Sequence, residues 1–368
     1  GAGRAGDEGS AGSGGQRGPA RRRVPVAAKV LLVLLALIAV IAAACWAWVS
    51  SLSASMSLDE EDRDALNEVL VGTEEGDGSE AFYTLILGSD ARQDDTFARS
   101  DVLMLARVDV SSGLVTFVSI PRDTMVYDES GAVQKINAAY NEGPAAAVKA
   151  VSEFAGVDIS HYVEVDFEGL ESVVDALGGV LVDVPEDIEA GNGGMSFSAG
   201  EQVMDGEQAL AYARERYTVS GGDFGRAQAQ RQIATAIVKQ VLASNPLQIP
   251  GLVSSLASSI TTDLSIADIV SYAMELQGAA ADLTLYSAVT PSYALEQDGV
   301  SYVATMYVEW GEMMRRTDAG LDPSTTVDEV PAEQRQNERL GAATNAAGPR
   351  DYAELAASSP LTSRDTAG

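Results

Sequence analysis

Three short stretches place acids and arginines where strands should end: LILGSDAR (85–92), ARSDVLML (98–105) and VSIPRDT (118–124). Asp90 closes the first, Asp101 opens the second, and Arg122 with Asp123 follows the third. A Ser-Ser-Gly turn between the last two predicts a hairpin. If that hairpin pairs Val108 with Val115, the same register sets Asp101 opposite Arg122. One sheet edge then collects Asp90, Asp101 and Arg122. Two carboxylates without a histidine suit a hard, oxygen-loving ion such as Mg²⁺, which takes one or two carboxylates and leaves room for phosphate oxygens. The competing reading is loop capping by Asp, which turns favour in any case.

A second cluster is YARERYTVSGGDFGRAQAQRQ (212–232). Arg214 and Arg216 are two apart, so on an extended segment both point to one face and can grip one oxyanion. After a Gly-Gly break, Asp223 stands where it would cap a long helix. Arg226 then falls in the first turn, and Gln230 follows one turn later on the same face. A helix N-terminus carrying an arginine is a phosphate site. The alternative is a solvated helix start whose arginines make surface ion pairs. Lys135, in QKINAAY, either reaches the same phosphates as a point charge or ends a strand at the surface.

Composition favours the site. The chain has 368 residues and 24 Lys plus Arg against 54 Asp plus Glu, a net charge of −30. Such a field repels a phosphate backbone, so nucleic acid is excluded as a partner. Residues 1–29 hold six basic and two acidic groups, leaving −34 on the remaining 339 residues with only 18 basic side chains. Ten of those 18 lie between Arg92 and Arg231, so arginine is concentrated where the two clusters stand. One Cys and one His exclude an internal disulfide, zinc fingers and any two-histidine metal motif. GxGxxG and Walker A patterns are absent, and Ser89 and Ser119 have no neighbouring histidine to make a hydrolase triad. His161 opens a strand and reads as structural.

The elements that must position these groups follow from patterning. Residues 30–49 form an uncharged apolar run of 20 residues, the length of a membrane-spanning helix. The basic cluster before it predicts a cytoplasmic N-terminus and an exported remainder, a single-pass type II arrangement at the cell membrane. Residues 1–29 read as a disordered basic tail and 50–79 as a linker, with Ser57 opening a capping box for a short helix. The folded body is expected over 80–317, and 318–368 reads as a disordered acidic tail that builds no core. Strands at 82–88, 161–167 and 178–185 alternate with helices at 145–154, 168–177 and 206–213. A long amphipathic helix spans 225–243 and another 264–279, with late strands at 283–289 and 301–306. That alternation predicts an α/β fold, an αβα sandwich with a mixed central sheet.

The ordered series LILGSDAR, RSD, SIPRD, KINAAY, DALGGVLVDVP, YARERY and GDFGRAQAQRQ resembles the LytR-CpsA-Psr family of cell-wall glycopolymer ligases over about 80–310. The resemblance implies an αβα sandwich enclosing an apolar tunnel for a polyprenyl chain. It makes Asp90 and Asp101 the Mg²⁺-linked acids and sets Arg92, Arg99, Arg122, Arg214, Arg216, Arg226 and Gln230 around a lipid pyrophosphate. Asp223 braces the arginines, and Lys135 and Asn137 stand near the pocket. Ala229 occupies a position that is Arg in many relatives, and Arg231 follows the Gln. The implied reaction moves a glycopolymer from a polyprenyl-pyrophosphate carrier to a muramic acid 6-hydroxyl of peptidoglycan. Catalysis would rest on Asp90, Asp101, Arg122 and Arg214. Hydrolysis of the lipid pyrophosphate, and binding of the lipid-linked glycan without turnover, are the alternatives open to the same residues.

Overall fold

The computed structural model describes residues 58–72, 81–89, 100–128, 130–256, 260–279, 283–325 and 330–346. Among them no helix is long and apolar enough to cross a membrane, and the apolar run at 30–49 lies outside them.

Helix α1 (Glu60–Val69) is capped by Asp59, whose carboxylate accepts from the Asp62 amide at 2.8 Å. Ser57, the expected cap, lies outside the described residues. Strands β1 (Phe82–Ser89), β2 (Ser100–Asp109) and β3 (Leu114–Ile120) follow in antiparallel succession. Val108 pairs with Val115 and Leu103 with Ile120, as the hairpin register requires. The Asp109 carboxylate closes the turn by accepting from the Ser112 amide and the Ser111 hydroxyl. A small hairpin, β4 (Met125–Tyr127) with β5 (Val133–Lys135), leads through a 3₁₀ segment to α2 (Pro144–Ala155). Then come β6 (Ile159–Asp166), α3 (Phe167–Ala176), β7 (Val180–Val184), β8 (Gly200–Met204) and α4 (Gly206–Arg214). The long helix α5 (Asp223–Ala243) precedes α6 (Ile249–Leu256), β9 (Ile260–Thr262) and α7 (Ile266–Gly278). The described chain ends with β10 (Thr284–Val289), β11 (Ser292–Gln297), β12 (Val300–Thr305), α8 (Tyr307–Asp318) and α9 (Ala332–Gln336).

The central sheet is mixed and six-stranded, in the order β10-β3-β2-β1-β6-β9. β1 runs parallel to β6 and β10 parallel to β3, while the other pairs are antiparallel. Because residues alternate across a strand, Leu85, Leu87, Leu105 and Val118 face one layer and Ile86, Met104, Ala106 and Phe117 the other. The first set joins Phe154 of α2 with Trp310 and Met314 of α8 in one core cluster. The second packs with Ala234 and Val238 of α5 and Leu276 of α7. Helices therefore cover both faces, and the mixed α/β sandwich expected from the alternation is present.

Three elements differ from their sequence reading. Helix α5 is not amphipathic, because it is buried on two sides: Ala234 and Val238 meet the sheet, while Ala229, Ile233 and Ala236 meet a second cluster built by α3, α4, β7 and β8. The strand at Val180–Val184 stays out of the central sheet and pairs with β8 instead. Part of the expected tail is packed: Leu340, Ala343 and Ala346 are buried in the Phe154–Trp310 core, and the Gly341 amide donates to the Ala155 carbonyl at 2.7 Å. Small apolar residues dispersed among polar ones carry too little periodicity to announce such a strap.

Candidate active site

The parallel and antiparallel pairings make β1, β3, β6 and β10 finish at the end of the sheet where β2 begins. A pocket of about 40 Å³ opens at that end, between the β3–β4 connection and the first two turns of α5. Ser119, Arg122, Asp123, Asp223, Arg226 and Gln230 line it with Val102, Ile120 and Phe224. A single water needs about 10–15 Å³, so the space admits a larger group.

Each polar wall has a local cause. Pro121 ends β3 and turns the chain so that Arg122 and Asp123 stand at the rim. Asp123 lies 3.1 Å from the Lys135 ammonium and 4.0 Å from Arg122 Nε. Lys135 thus joins the site through Asp123. On the opposite wall Arg226 is buried, with Nη2 3.4 Å from Asp223, one helical turn away. Asp223 is the first residue of the helix, and Gly222 is its N-cap, at φ 58°. The cap role expected for Asp223 is therefore a correction: its carboxylate braces Arg226. The Gln230 amide donates to the Ala213 carbonyl at 3.2 Å and so ties α5 to the end of α4. Ser119 Oγ is buried in the pocket wall and has no hydrogen-bond partner among the described residues.

Arg214 and Arg216 are not in the pocket's lining, and their segment is joined to it through the Gln230 bond to the Ala213 carbonyl. The Arg214 guanidinium lies over the Phe167 ring, 4.4 Å from its centre, where β6 passes into α3. Arg216 donates to the Tyr217 hydroxyl at 2.6 Å. Between them Glu215 turns inward and is fully buried. Its carboxylate accepts from the amides of Gly191, Gly193, Arg216, Tyr217 and Thr218 at 2.9 to 3.2 Å. Burial alone pushes this carboxyl up, but the amides of Gly193, Tyr217 and Thr218 outweigh it and hold the pKa below the ordinary 4.5. A Cβ at Gly191 would collide with that carboxylate, and one at Gly193 with the Ala211 carbonyl. Glu215 is thus the anchor of the loop presenting both arginines. Sequence reading passed over it, although alternation in Arg-Glu-Arg already turns it away from the arginines.

Of the residues singled out from sequence, Arg122, Asp223, Arg226 and Gln230 share the pocket, Lys135 meets Asp123 at its rim, and Arg214 and Arg216 lie outside its lining. Asp90, Arg92 and Arg99 lie outside the described residues. For Asp101 the backbone alone is described. It is the second residue of β2, and the β2–β3 pairing ends at Leu103–Ile120, where Pro121 turns the chain, so the described register does not extend to the expected pair of Asp101 with Arg122. Among the described residues no group of three or more His, Cys, Asp or Glu forms a metal cluster. His161, bonded to Asp263 at 2.8 Å and near Tyr272, lies away from the pocket's lining.

Arginines converging from a strand end and a helix start, with one buried hydroxyl between them, define an α/β domain built to hold an oxyanion. The LytR_cpsA_psr family model matches residues 48–316, and the chain belongs to that family. Polyisoprenyl-teichoic acid–peptidoglycan teichoic acid transferase TagU of Enterococcus faecalis is 31% identical over 278 residues, covering 74% of this chain and 88% of that protein. The crystal structure of B. subtilis TagV superposes with a TM-score of 0.54 at 32% identity, covering 62% of this chain and 91% of that one. TagT bound to LIIa-WTA gives a TM-score of 0.53 at 28% identity, over 63% and 88% of the two chains.

Proposed function

We propose that this protein transfers a glycopolymer from a polyprenyl-pyrophosphate carrier to peptidoglycan. The observation that carries the reading is the meeting of Arg122, Arg226, Gln230 and the Ser119 hydroxyl in one pocket at the open end of an apolar sheet–helix layer. Relatives named as polyisoprenyl-teichoic acid–peptidoglycan teichoic acid transferases support it. The acceptor is the 6-hydroxyl of a muramic acid residue. Its oxygen attacks the phosphorus that bears the glycan, and the bond from that phosphorus to the polyprenyl phosphate oxygen breaks. A phosphodiester to peptidoglycan forms, polyprenyl phosphate leaves, and the hydroxyl proton passes to a carboxylate.

The chain's own groups supply charge and position. Arg122 and Arg226 approach from opposite walls and take up the charge that grows on the phosphoryl oxygens. Arg214, kept in place by Glu215 and Phe167, adds a third cation at the flank. Gln230 offers neutral hydrogen bonding, and Asp223 keeps Arg226 oriented. Asp90 or Asp101 accepts the proton. Besides its arginines and Gln230, this pocket offers the oxygens of Asp123, Asp223 and Ser119 and neither thiol nor imidazole, a set that suits Mg²⁺ better than a softer metal. Asp90 and Asp101 would hold that ion, which when bound neutralises phosphate charge against an incoming hydroxyl. The polyprenyl chain occupies the sheet–α5–α7 layer as a tunnel, and the apolar run at 30–49 anchors the protein as a type II membrane protein with this domain outside.

The test is incubation of the purified protein with a lipid-pyrophosphate-linked glycan, Mg²⁺ and peptidoglycan fragments. Glycan joined to peptidoglycan through a phosphodiester is expected. Release of free glycan phosphate without an acceptor would instead identify a hydrolase, and binding without any product a carrier module.

A further inference from the structure

Arg231, on α5, is 7% exposed, and its Nε and Nη1 are shielded from solvent with no hydrogen-bond partner among the described residues. Burial lowers its pKa to about 10, so the guanidinium keeps its charge at neutral pH. A buried cation without a counter-charge is costly, and an unsatisfied group of this kind is completed by a water, an ion or a ligand. Its place says which of these. Helical spacing puts Ala227, Arg231, Ala234 and Val238 on one stripe of α5. Ala227 lines the arginine pocket, while Ala234 and Val238 pack against the Met104–Phe117 face of the sheet. Arg231 therefore stands where polar pocket passes into apolar layer. A ligand that is anionic on one side and hydrocarbon on the other fits that boundary.

We infer that Arg231 binds the lipid-side phosphate of the prenyl carrier, the phosphate that departs with the chain, and so separates carrier recognition from the glycan-side contacts of Arg122 and Arg226. This assignment rests on the functional reading above. In the reaction it pairs with the second charge that appears on polyprenyl phosphate when the phosphorus–oxygen bond breaks.

The test uses the full chain and two probes, geranylgeranyl phosphate and inorganic phosphate, titrated against wild type, Arg231→Met and Arg231→Lys, with thermal melting of each unliganded protein. Arg231→Met is expected to bind geranylgeranyl phosphate at least about tenfold more weakly, while its affinity for inorganic phosphate changes little and its melting midpoint is not lowered. Arg231→Lys should retain most of the lipid affinity. Equal binding of the prenyl phosphate by wild type and Arg231→Met overturns the assignment while leaving the functional reading intact. An equal loss for both probes overturns the placement at the lipid-side phosphate. If Arg231→Met melts early, Arg231→Lys decides, and loss of prenyl phosphate binding by that variant with an unchanged midpoint overturns the assignment. Wild-type protein that ignores geranylgeranyl phosphate removes the functional reading and this one with it.

Discussion

On the sheet face that meets α2 and α8, Leu85, Leu87, Val118, Phe154 and Trp310 are completely buried. On the face that meets α5 and α7, Ile86, Val108, Leu285, Val238 and Leu276 each keep part of their surface exposed. On the first face the Trp310 indole donates to the Phe154 carbonyl at 3.0 Å, and the two rings stack at 5.2 Å. The second carries an orphaned serine hydroxyl and an orphaned arginine at its open end. The second side of the sheet is therefore less completely enclosed than the first, although Met104, Ala106, Val115 and Phe117 are buried there too, and it is the side on which the proposed ligand lies. On the proposed function, stability and ligand binding fall on opposite faces of the same strands.

That contrast can be broken by mutation. Trp310→Ala should have the largest effect, about 3–5 kcal/mol of unfolding free energy lost to transfer and cavity terms, read by denaturant titration. Arg226→Ala should leave that titration close to wild type and lower glycan transfer by about 10²–10³-fold, as expected for removing a preorganised charge contact. If instead both variants lose stability alike, the two faces are not distinct. Glu215→Gln should cost about 1–3 kcal/mol, because an amide presents only one acceptor oxygen to the amides that the carboxylate satisfies with two. The same carboxylate gives a pH signature. Its folded pKa is depressed, so its contribution is full above the ordinary value of 4.5 and is lost as pH falls through the folded one. Thermal melts should show wild type losing stability below about pH 4.5 more steeply than Glu215→Gln. The smallest effect is expected for Lys135→Ala, which removes a part-exposed ion pair to Asp123 and should change stability by no more than about 1 kcal/mol.

Local chemistry makes much of this legible in the sequence. The Ser-Ser-Gly turn set the β2–β3 register, which brings the start of β2 and the end of β3 to one sheet edge, with Arg122 just beyond it. The Gly-Gly break placed Arg226 and Gln230 on successive turns of α5. What escaped depends on tertiary surroundings. A helix buried on two sides shows no single apolar stripe, so the sandwiched position of α5 could not be read from its periodicity. β7 has the alternation of a sheet strand, yet its partner is decided by β8, which carries little pattern of its own. Asp223 resembles a cap because Asp favours caps, but Gly222 takes that position and frees the carboxylate for Arg226. Glu215, hidden between two arginines in a chain rich in acids, gave no compositional sign that five amides converge on it. Leu340, Ala343 and Ala346 complete a core most of whose other members lie before residue 163 in sequence.

The most direct measurement is a crystal structure of this protein with geranylgeranyl pyrophosphate. Phosphate oxygens are expected within hydrogen-bond distance of Arg122 and Arg226, with the prenyl chain lying between the sheet and helices α5 and α7. A chain bound on the α2–α8 face, or a pyrophosphate seated away from those arginines, would contradict the proposed function.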